Sequence, residues 1–169
     1  MIISLVGYMG SGKSHVAKVL SQKLQLKIID LDKEISLRNK MSIPEIFAQR
    51  GEIYFRKQEK ETLQQLLNSH SSGILSLGGG TPCFYDNMET INRHTESFFL
   101  RASVATLVTR LSPQMDKRPL IARLAPEDLP EFIAKHLFER NLFYSKAKFT
   151  VSTDGKNPEQ VADEIWAML

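Results

Sequence analysis

The residues with the clearest chemical potential lie at positions 7–14, which read Gly-Tyr-Met-Gly-Ser-Gly-Lys-Ser. This spacing is typical of a phosphate-binding loop, in which glycines let successive backbone N–H groups turn toward phosphate oxygens. We expect Lys13 to reach the β- and γ-phosphates and the Ser14 hydroxyl to bind Mg²⁺. The motif therefore predicts a nucleoside triphosphate site, whose contacts come from Gly10, Ser11, Gly12, Lys13 and Ser14.

The sequence on either side supplies the elements that such a loop requires. The apolar run 2–6 is typical of a strand, and Val16, Ala17, Leu20 and Leu24 follow at helical spacing. The N-terminus of that helix adds the positive end of its dipole to the phosphate site. A glycine-rich surface turn that happens to contain a lysine is the alternative, and the flanking strand and helix disfavour it.

Length and composition indicate one globular domain. The chain has 169 residues, of which 42% are hydrophobic and 24% charged, and no apolar run approaches the ~20 residues of a membrane span. The single cysteine excludes an internal disulfide, and a strand starting almost at the N-terminus leaves no room for a signal peptide, so we expect a cytoplasmic protein. The net charge is +3 with scattered basic residues, which favours an anionic small molecule over nucleic acid.

Strand-like and helix-like segments alternate along the chain, which predicts an α/β fold with a parallel sheet and helices on both faces. The strand-like runs are 2–6, 27–31, 73–77, 97–100 and 149–152. Two regions depart from the alternation. Residues 33–68 contain only helical patterns, with a capping box at Ser42, and residues 112–124 have no clear period and contain two prolines. A long loop of this kind in a compact domain is often a functional lid.

Two carboxylates close the second predicted strand. The pleat of a strand places Asp30 and Asp32 on the same side, at the carboxyl end where parallel sheets bind ligands. Either residue could instead cap a helix that begins at Lys33. We favour catalysis or substrate binding for Asp32. Because glycines 78–80 stand after the third strand, where many nucleotide hydrolases carry a metal-binding aspartate, the Asp30/Asp32 pair must supply any carboxylate near the metal, through water.

Three arginines become informative when they are considered together. Arg56 stands near the start of a long predicted helix, Arg118 lies in the predicted lid, and Arg140 lies on a helix predicted over residues 131–144. A single arginine is more often a solvated surface charge. A set of planar guanidinium groups, however, suits a carboxylate or a phosphate.

Taken in order, these motifs resemble the shikimate kinase family over essentially the whole chain. The resemblance implies a three-layer α/β sandwich of the nucleoside-monophosphate-kinase type, with a five-stranded parallel sheet in the order 2-3-1-4-5. It also implies one domain over residues 1–169, with the phosphate loop at 7–14, a helical substrate-binding subdomain at about 33–60 and a mobile lid at about 112–124. The matching segments are 7–14, 30–32, 46–56, 77–80, 118–120 and Arg140 with Tyr144.

The resemblance also implies roles in binding the acceptor. Asp32 would bind the hydroxyls of shikimate and is the candidate base for the 3-hydroxyl. Arg56 and Arg140 would pair with the shikimate carboxylate. The backbone of Gly79 and Gly80 would contact the same substrate.

Further roles are implied on the ATP side. Lys13 and the loop amides would hold the phosphates, Asp30 would belong to the second shell of Mg²⁺, and Arg118 would cover the phosphates as the lid closes. Arg110 and Lys156 would border the adenine. His15 would contact ATP but stands where the family usually has threonine, and Lys156 stands where an arginine is often found, so these two positions affect nucleotide affinity rather than the reaction.

Mg·ATP-dependent phosphorylation of the shikimate 3-hydroxyl, on the route to chorismate and the aromatic amino acids, is the favoured hypothesis. Another small kinase of this architecture, such as a gluconate or nucleoside-monophosphate kinase, is the nearest alternative. A non-catalytic nucleotide-binding regulatory module is the alternative of another class. The expected ligands are ATP and shikimate, with neither nucleic acid nor membrane as a partner, and a monomer is expected because no apolar helix face is evidently left over.

Overall fold

The computed structural model describes all 169 residues and contains one five-stranded parallel sheet. The strands are β1 Ile2–Val6, β2 Ile28–Asp30, β3 Gly73–Ser76, β4 Glu96–Arg101 and β5 Phe149–Ser152. Their order across the sheet is β2-β3-β1-β4-β5. Both the α/β class and the strand order are therefore as predicted.

Eight α-helices connect and cover the strands. They are α1 Lys13–Leu24, α2 Leu31–Asn39, α3 Ile43–Arg50, α4 Glu52–Ser69, α5 Asn87–His94, α6 Val104–Leu111, α7 Leu129–Tyr144 and α8 Pro158–Met168. Short 3₁₀ turns occupy Thr81–Cys83, Ser112–Lys117 and Pro126–Asp128. None of the helices is both long and apolar enough to cross a membrane.

The two faces of the sheet bury separate apolar cores. Along β1 the side chains of Ile3 and Leu5 enter a core shared with α1 and α8, whereas Ile2 and Val6 enter a larger core on the opposite face. This alternation is the period of two that a strand imposes. Strand β1 is therefore buried on both faces, as its place in the centre of the sheet requires. The loop that follows β1 lies at the carboxyl edge of the sheet.

The helical region predicted over residues 33–68 consists of α2, α3 and α4. Its internal boundary at Ser42 is a capping box, since the Ser42 hydroxyl accepts the Glu45 N–H at 3.3 Å and the Glu45 carboxylate accepts the Ser42 N–H at 2.9 Å. The fully buried Ile35 and Ile46 join this region to the larger core. The helices therefore form a packed unit that is continuous with the sheet.

The sequence placed Asp30 and Asp32 together on a strand, and this prediction is wrong. Strand β2 ends at Asp30, and α2 begins at the next residue. The Asp30 carboxylate caps that helix by accepting the Lys33 N–H at 3.0 Å, as in the capping alternative. Asp32 therefore lies in the first helical turn, because the chain passes from strand to helix without a connecting loop.

The segment predicted as a lid is built from turns. The carbonyl of Arg118 accepts N–H groups from Ile121 at 3.0 Å and Ala122 at 2.8 Å. The Ile121 side chain is fully buried in the larger core, whereas the neighbouring Pro119 and Leu120 are exposed. Met115 and Leu124 are partly buried against the same core, so three apolar residues anchor a segment that is otherwise largely at the surface.

One helix face leaves large apolar side chains at the surface. Phe138 and Leu142, four residues apart on α7, are 78% and 68% exposed. The expectation that no such face is left over is not met. The oligomeric state remains a prediction.

Candidate active site

A cleft of about 620 Å³ lies where β1 and β3 end at the carboxyl edge of the sheet. Of the predicted site residues, those lining it are Gly10, Ser11, Gly12, Lys13, Ser14, His15, Asp30, Asp32, Gly79, Arg110, Arg118 and Lys156. The other three, Gly80, Arg56 and Arg140, lie around the glycine turn that follows β3. The fold thus brings all of the predicted residues to one region.

The loop after β1 has the backbone shape that phosphate binding requires. Gly10 and Gly12 adopt φ values of +80° and +94°, which other residues rarely adopt. A Cβ on Gly10 would also approach Leu111 to 3.0 Å, whereas nothing lies within 4 Å of the corresponding position at Gly12. The N–H groups of the first turn of α1 have no acceptor within the helix. They are available to an anion.

Lys13 lies across this loop. Its ammonium group donates to the carbonyls of Gly7 at 2.7 Å and Tyr8 at 3.0 Å. Burial lowers the pKa of Lys13 to about 7, and the positive charges of Arg118 and Arg140 contribute to the same shift. An anion in the cleft would relieve this accumulation of positive charge.

The turn of three glycines at 78–80 brings three charged side chains together. A Cβ on Gly78 would stand 3.8 Å from the Asp32 carboxylate, one on Gly79 would stand 3.2 Å from the Arg140 guanidinium, and one on Gly80 would stand 2.8 Å from the Arg56 guanidinium. Each glycine thus faces a different member of the predicted acceptor set. A Cβ would crowd the guanidinium groups at Gly79 and Gly80, whereas at Gly78 it would make ordinary van der Waals contact with Asp32.

The N–H groups of Gly79 and Gly80 make no hydrogen bond within the protein. The Gly79 carbonyl, in contrast, accepts the hydroxyl of the buried Tyr144 at 2.6 Å. Tyr144 ends the helix that carries Arg140, so this bond ties α7 to the turn. Two free donors therefore lie between the two arginines.

Arg56 is held by a buried partner that the sequence analysis missed. Its guanidinium donates to the Glu59 carboxylate at 2.9 Å, and the Glu59 side chain is only 2% exposed. The second carboxylate oxygen of Glu59 accepts the Thr81 hydroxyl at 2.8 Å. The sequence did contain a signal for this contact. Glu59 lies on the apolar face of α4, between Phe55 and Leu63, and a charged side chain buried there requires a partner.

Arg140 is supported from the phosphate loop. Its guanidinium lies 5.8 Å from the ring centre of the buried Tyr8. The Tyr8 hydroxyl is bonded at 2.8 Å to Nδ1 of His136, one turn before Arg140 on α7. This contact also escaped the sequence analysis, since the two partners are 128 residues apart.

The surroundings of Asp32 make its ionisation unfavourable. Burial is the main cause, and the nearby carboxylates of Glu59 and Asp30 add to it, so that the pKa of Asp32 rises to about 6. Arg56 and Lys13 oppose the shift without cancelling it. A carboxylate with this pKa is ionised at neutral pH and is a stronger proton acceptor than an ordinary aspartate.

On the opposite side of the cleft, Arg110 joins two loops. Its guanidinium donates to the Gly10 carbonyl at 3.1 Å and to the Thr153 carbonyl at 3.1 Å. Lys156 lines the same side, and its ammonium group forms an ion pair with Glu164 at 2.6 Å. His15 is exposed at the rim. Ser11, in contrast, is buried, and its hydroxyl has no hydrogen-bond partner.

Fold and site together define a class of protein. A phosphate-binding loop after the central strand, a sheet in the order β2-β3-β1-β4-β5 and a cluster of Asp32, Arg56 and Arg140 beside the loop are features of a small-molecule phosphotransferase of the nucleoside-monophosphate-kinase type.

Comparison with known proteins narrows this class. The shikimate kinase family model matches residues 9–169. A shikimate kinase of Flavobacterium psychrophilum is 46% identical over 168 residues, covering 99% of this chain and 98% of the relative. The crystal structure of shikimate kinase from Bacteroides thetaiotaomicron has a TM-score of 0.89 at 33% identity, and the match covers 99% of this chain and 97% of that one. The solved structure of shikimate kinase from Acinetobacter baumannii in complex with shikimate has a TM-score of 0.85 at 30% identity, and the match covers 99% of this chain and 91% of that one. The chain belongs to the shikimate kinase family.

The raised pKa of Asp32 predicts a pH-dependent effect on stability. Because the folded protein holds this proton up to about pH 6 and the unfolded chain releases it near 3.8, ionisation of Asp32 destabilises the fold as the pH rises between these values. Asp32→Asn is therefore expected to raise Tm at pH 7 by several degrees and to increase the free energy of unfolding by at most about 3 kcal/mol. Below pH 4 the substitution should give no gain.

Thermal unfolding of the ligand-free protein from pH 4 to 8 measures this difference. Asp116→Asn, which removes an exposed carboxylate without a partner, is the matched control and should give a constant difference. A Tm gain for Asp32→Asn that does not change with pH would contradict the prediction.

Proposed function

We propose that the protein transfers the γ-phosphoryl group of Mg·ATP to the 3-hydroxyl of shikimate, forming shikimate 3-phosphate and ADP on the route to chorismate and the aromatic amino acids. The convergence of Asp32, Arg56 and Arg140 on glycines 78–80 carries this proposal. Family membership supports it, as does the relative from Acinetobacter baumannii in complex with shikimate.

The acceptor cluster has the chemistry of a small hydroxy acid. Two guanidinium groups, Arg140 beside Gly79 and Arg56 beside Gly80, can bind a carboxylate, since a planar fork matches its geometry. The N–H groups of Gly79 and Gly80 add donors, and Asp32 adds an acceptor for hydroxyl groups. A nucleobase would instead require an aromatic or amide-lined pocket, whereas the charged side chains that face the glycine turn are two arginines and a carboxylate.

Asp32 is the proposed base. It lies both in the cleft with Lys13 and beside the glycine turn, so a hydroxyl bound to it faces the phosphate loop. Its pKa of about 6 leaves it ionised at neutral pH and able to accept the hydroxyl proton as the new P–O bond forms.

Lys13, the loop amides and Arg118 are proposed to stabilise the phosphates. Phosphoryl transfer proceeds through a loose transition state, so positioned positive charge contributes more than covalent help. Arg118 lines the cleft and lies close enough to Lys13 to lower its pKa. Arg110 and Lys156 are proposed to border the adenine, with His15 at the rim.

The residues present suit Mg²⁺. Ser14, Asp30 and Asp32 supply hard oxygen donors along one cleft, and one carboxylate oxygen of Asp30 is already used as the helix cap. No group of three or more His, Cys, Asp or Glu side chains is arranged to hold a metal. Ser14 would therefore bind the ion and Asp30 would hold one of its waters, while phosphate oxygens fill other positions. The bound ion would neutralise charge on the phosphates.

Two segments are proposed to move. Residues 33–60 directly follow Asp32, carry Arg56 and would form the substrate-binding subdomain of the single domain. Residues 112–124 carry Arg118 and would close over ATP, with the buried Ile121 as the fixed point. Closure would exclude water, which would otherwise compete with the acceptor for the phosphoryl group.

The reaction is tested by measuring ADP release by the purified protein with Mg·ATP and either shikimate, gluconate or no acceptor. Strong stimulation by shikimate alone is expected, because the two arginines and Asp32 match its carboxylate and hydroxyls. Stimulation by gluconate alone would reassign the acceptor. ATP binding without stimulation by either compound would favour a regulatory module.

Asp32→Asn is expected to bind ATP normally but to lose about 10²- to 10⁴-fold in kcat, because the amide cannot accept the hydroxyl proton. Asp30→Asn is the matched control, since asparagine also caps helices well and should keep most of kcat while raising the Mg²⁺ concentration required. Steady-state kinetics and ATP titration provide both values. A near-normal kcat for Asp32→Asn would remove it as the base.

Arg56→Lys and Arg140→Lys are each expected to raise the KM for shikimate by about 10- to 100-fold with a smaller change in the KM for ATP, since a lysine retains the charge but not the planar fork. Arg93→Lys, on the exposed surface of α5, is the control. If either site variant left the KM for shikimate unchanged, that arginine would not be a carboxylate ligand.

A further inference from the structure

The turn after the glycines places an aromatic ring against Arg56. The ring centre of Phe84 lies 3.9 Å from the guanidinium carbon of Arg56, much closer than the 5.2 Å to Phe55. At this distance the ring covers one face of the guanidinium plane. Phe84 itself is half-buried, so the ring also excludes water from that face.

Arg56 has few other restraints. Only its bond to Glu59, at 2.9 Å, is short, since Glu52 lies 3.7 Å from Nε. The Nε atom is buried without a hydrogen-bond partner. One hydrogen bond fixes one end of the fork but leaves the plane able to rotate about it. The Phe84 ring supplies the missing restraint.

The backbone next to Phe84 is shaped to present this ring. Tyr85 has φ +50°, an uncommon conformation for a residue with a side chain. It directs the two consecutive rings to two cations one turn apart on α4, Phe84 to Arg56 and Tyr85 to Lys60 at 5.2 Å. An ion pair between Lys60 and Asp86, at 2.7 Å, also connects the end of this turn to α4.

Hydrogen bonds also hold the start of the turn, at Thr81. Thr81 donates to Glu59 at 2.8 Å, and its carbonyl accepts the Asn87 side chain at 2.9 Å. The segment 81–84 therefore holds the Arg56–Glu59 pair at both ends, through the Thr81 hydroxyl on the glutamate and the Phe84 ring on the arginine.

We propose that Phe84 is a positioning residue for the acceptor carboxylate. Its ring packs against one face of the Arg56 guanidinium, excludes water from that face and holds the group with its free edge toward the glycine turn. The inference rests on the proposed function, because it concerns how Arg56 recognises the acceptor. It adds a specificity determinant that does not itself touch the reacting atoms.

The test compares shikimate with methyl shikimate, whose neutral ester lacks the carboxylate charge. Phe84→Leu is expected to lower the ratio of kcat/KM for shikimate to kcat/KM for methyl shikimate by about five- to tenfold. The reason is that a less restrained Arg56 loses affinity for the carboxylate, which the ester lacks. The KM for ATP should be unchanged. Phe84→Tyr and Phe84→Trp, which retain a ring face, should restore the ratio.

Tyr85→Leu is the matched control, since it removes the adjacent ring from the same turn but contacts Lys60 rather than Arg56. Its ratio should equal that of the wild type. If Phe84→Leu does not fold, Phe84→Met keeps the volume without the ring and carries the same prediction.

An unchanged ratio in a folded Phe84→Leu or Phe84→Met variant would overturn the inference alone. Equal losses of kcat/KM for both acceptors would do the same, because they would indicate a general structural effect. A wild-type protein that does not phosphorylate shikimate would overturn the proposed function and, with it, the inference.

Discussion

The close approach of backbone to charge at residues 78–80 is the constraint on which the acceptor site depends. Asp32, Arg140 and Arg56 reach this turn from three different helices, and a Cβ on Gly79 or Gly80 would approach one of the two guanidinium groups to 3.2 Å or less. The turn itself follows β3, beside the central strand whose end carries the phosphate loop. A side chain at Gly79 or Gly80 would therefore displace the neighbouring guanidinium group. Backbone geometry, together with the charged residues, therefore shapes the proposed acceptor site.

The same crowding explains why buried charge is tolerated here. Glu59 balances Arg56 in the interior and is itself satisfied by the Thr81 hydroxyl, so Arg56 Nε is the one buried side-chain atom of the pair without a hydrogen-bond partner. Asp32 and Lys13 are less well matched. The pKa of Asp32 is raised to about 6 and that of Lys13 is lowered to about 7, which means that each charge is held against its preference for water. Groups held in this way interact strongly with ligands, because binding replaces the solvation that folding removed.

Local patterns in the sequence predicted the parts of this architecture that local physics determines. The phosphate loop, the capping box at Ser42 and strands β1 and β5 lie where spacing and periodicity placed them. Asp32 was misplaced because no turn residue separates β2 from α2, so nothing marked the change from the period of a strand to that of a helix. The roles of Glu59 and Phe84 depend on partners across the chain: Glu59 bonds to Thr81, 22 residues away, and Phe84 lies in a turn without periodicity. Their signals, a charge on an apolar face and two adjacent aromatic residues shortly after the glycines, can be interpreted only with the three-dimensional structure.

The electrostatics also link the two halves of the proposed site. Arg140 belongs to the acceptor side, yet its charge contributes to the lowered pKa of Lys13 on the phosphate side. An acceptor carboxylate bound to Arg140 would offset that charge and favour the ammonium form of Lys13, which is the form that binds phosphates. By reciprocity, phosphates bound at Lys13 would reduce the repulsion that Arg140 experiences and strengthen its hold on a carboxylate. The closeness of like charges that destabilises the ligand-free cleft would thus let either anionic ligand favour the binding of the other.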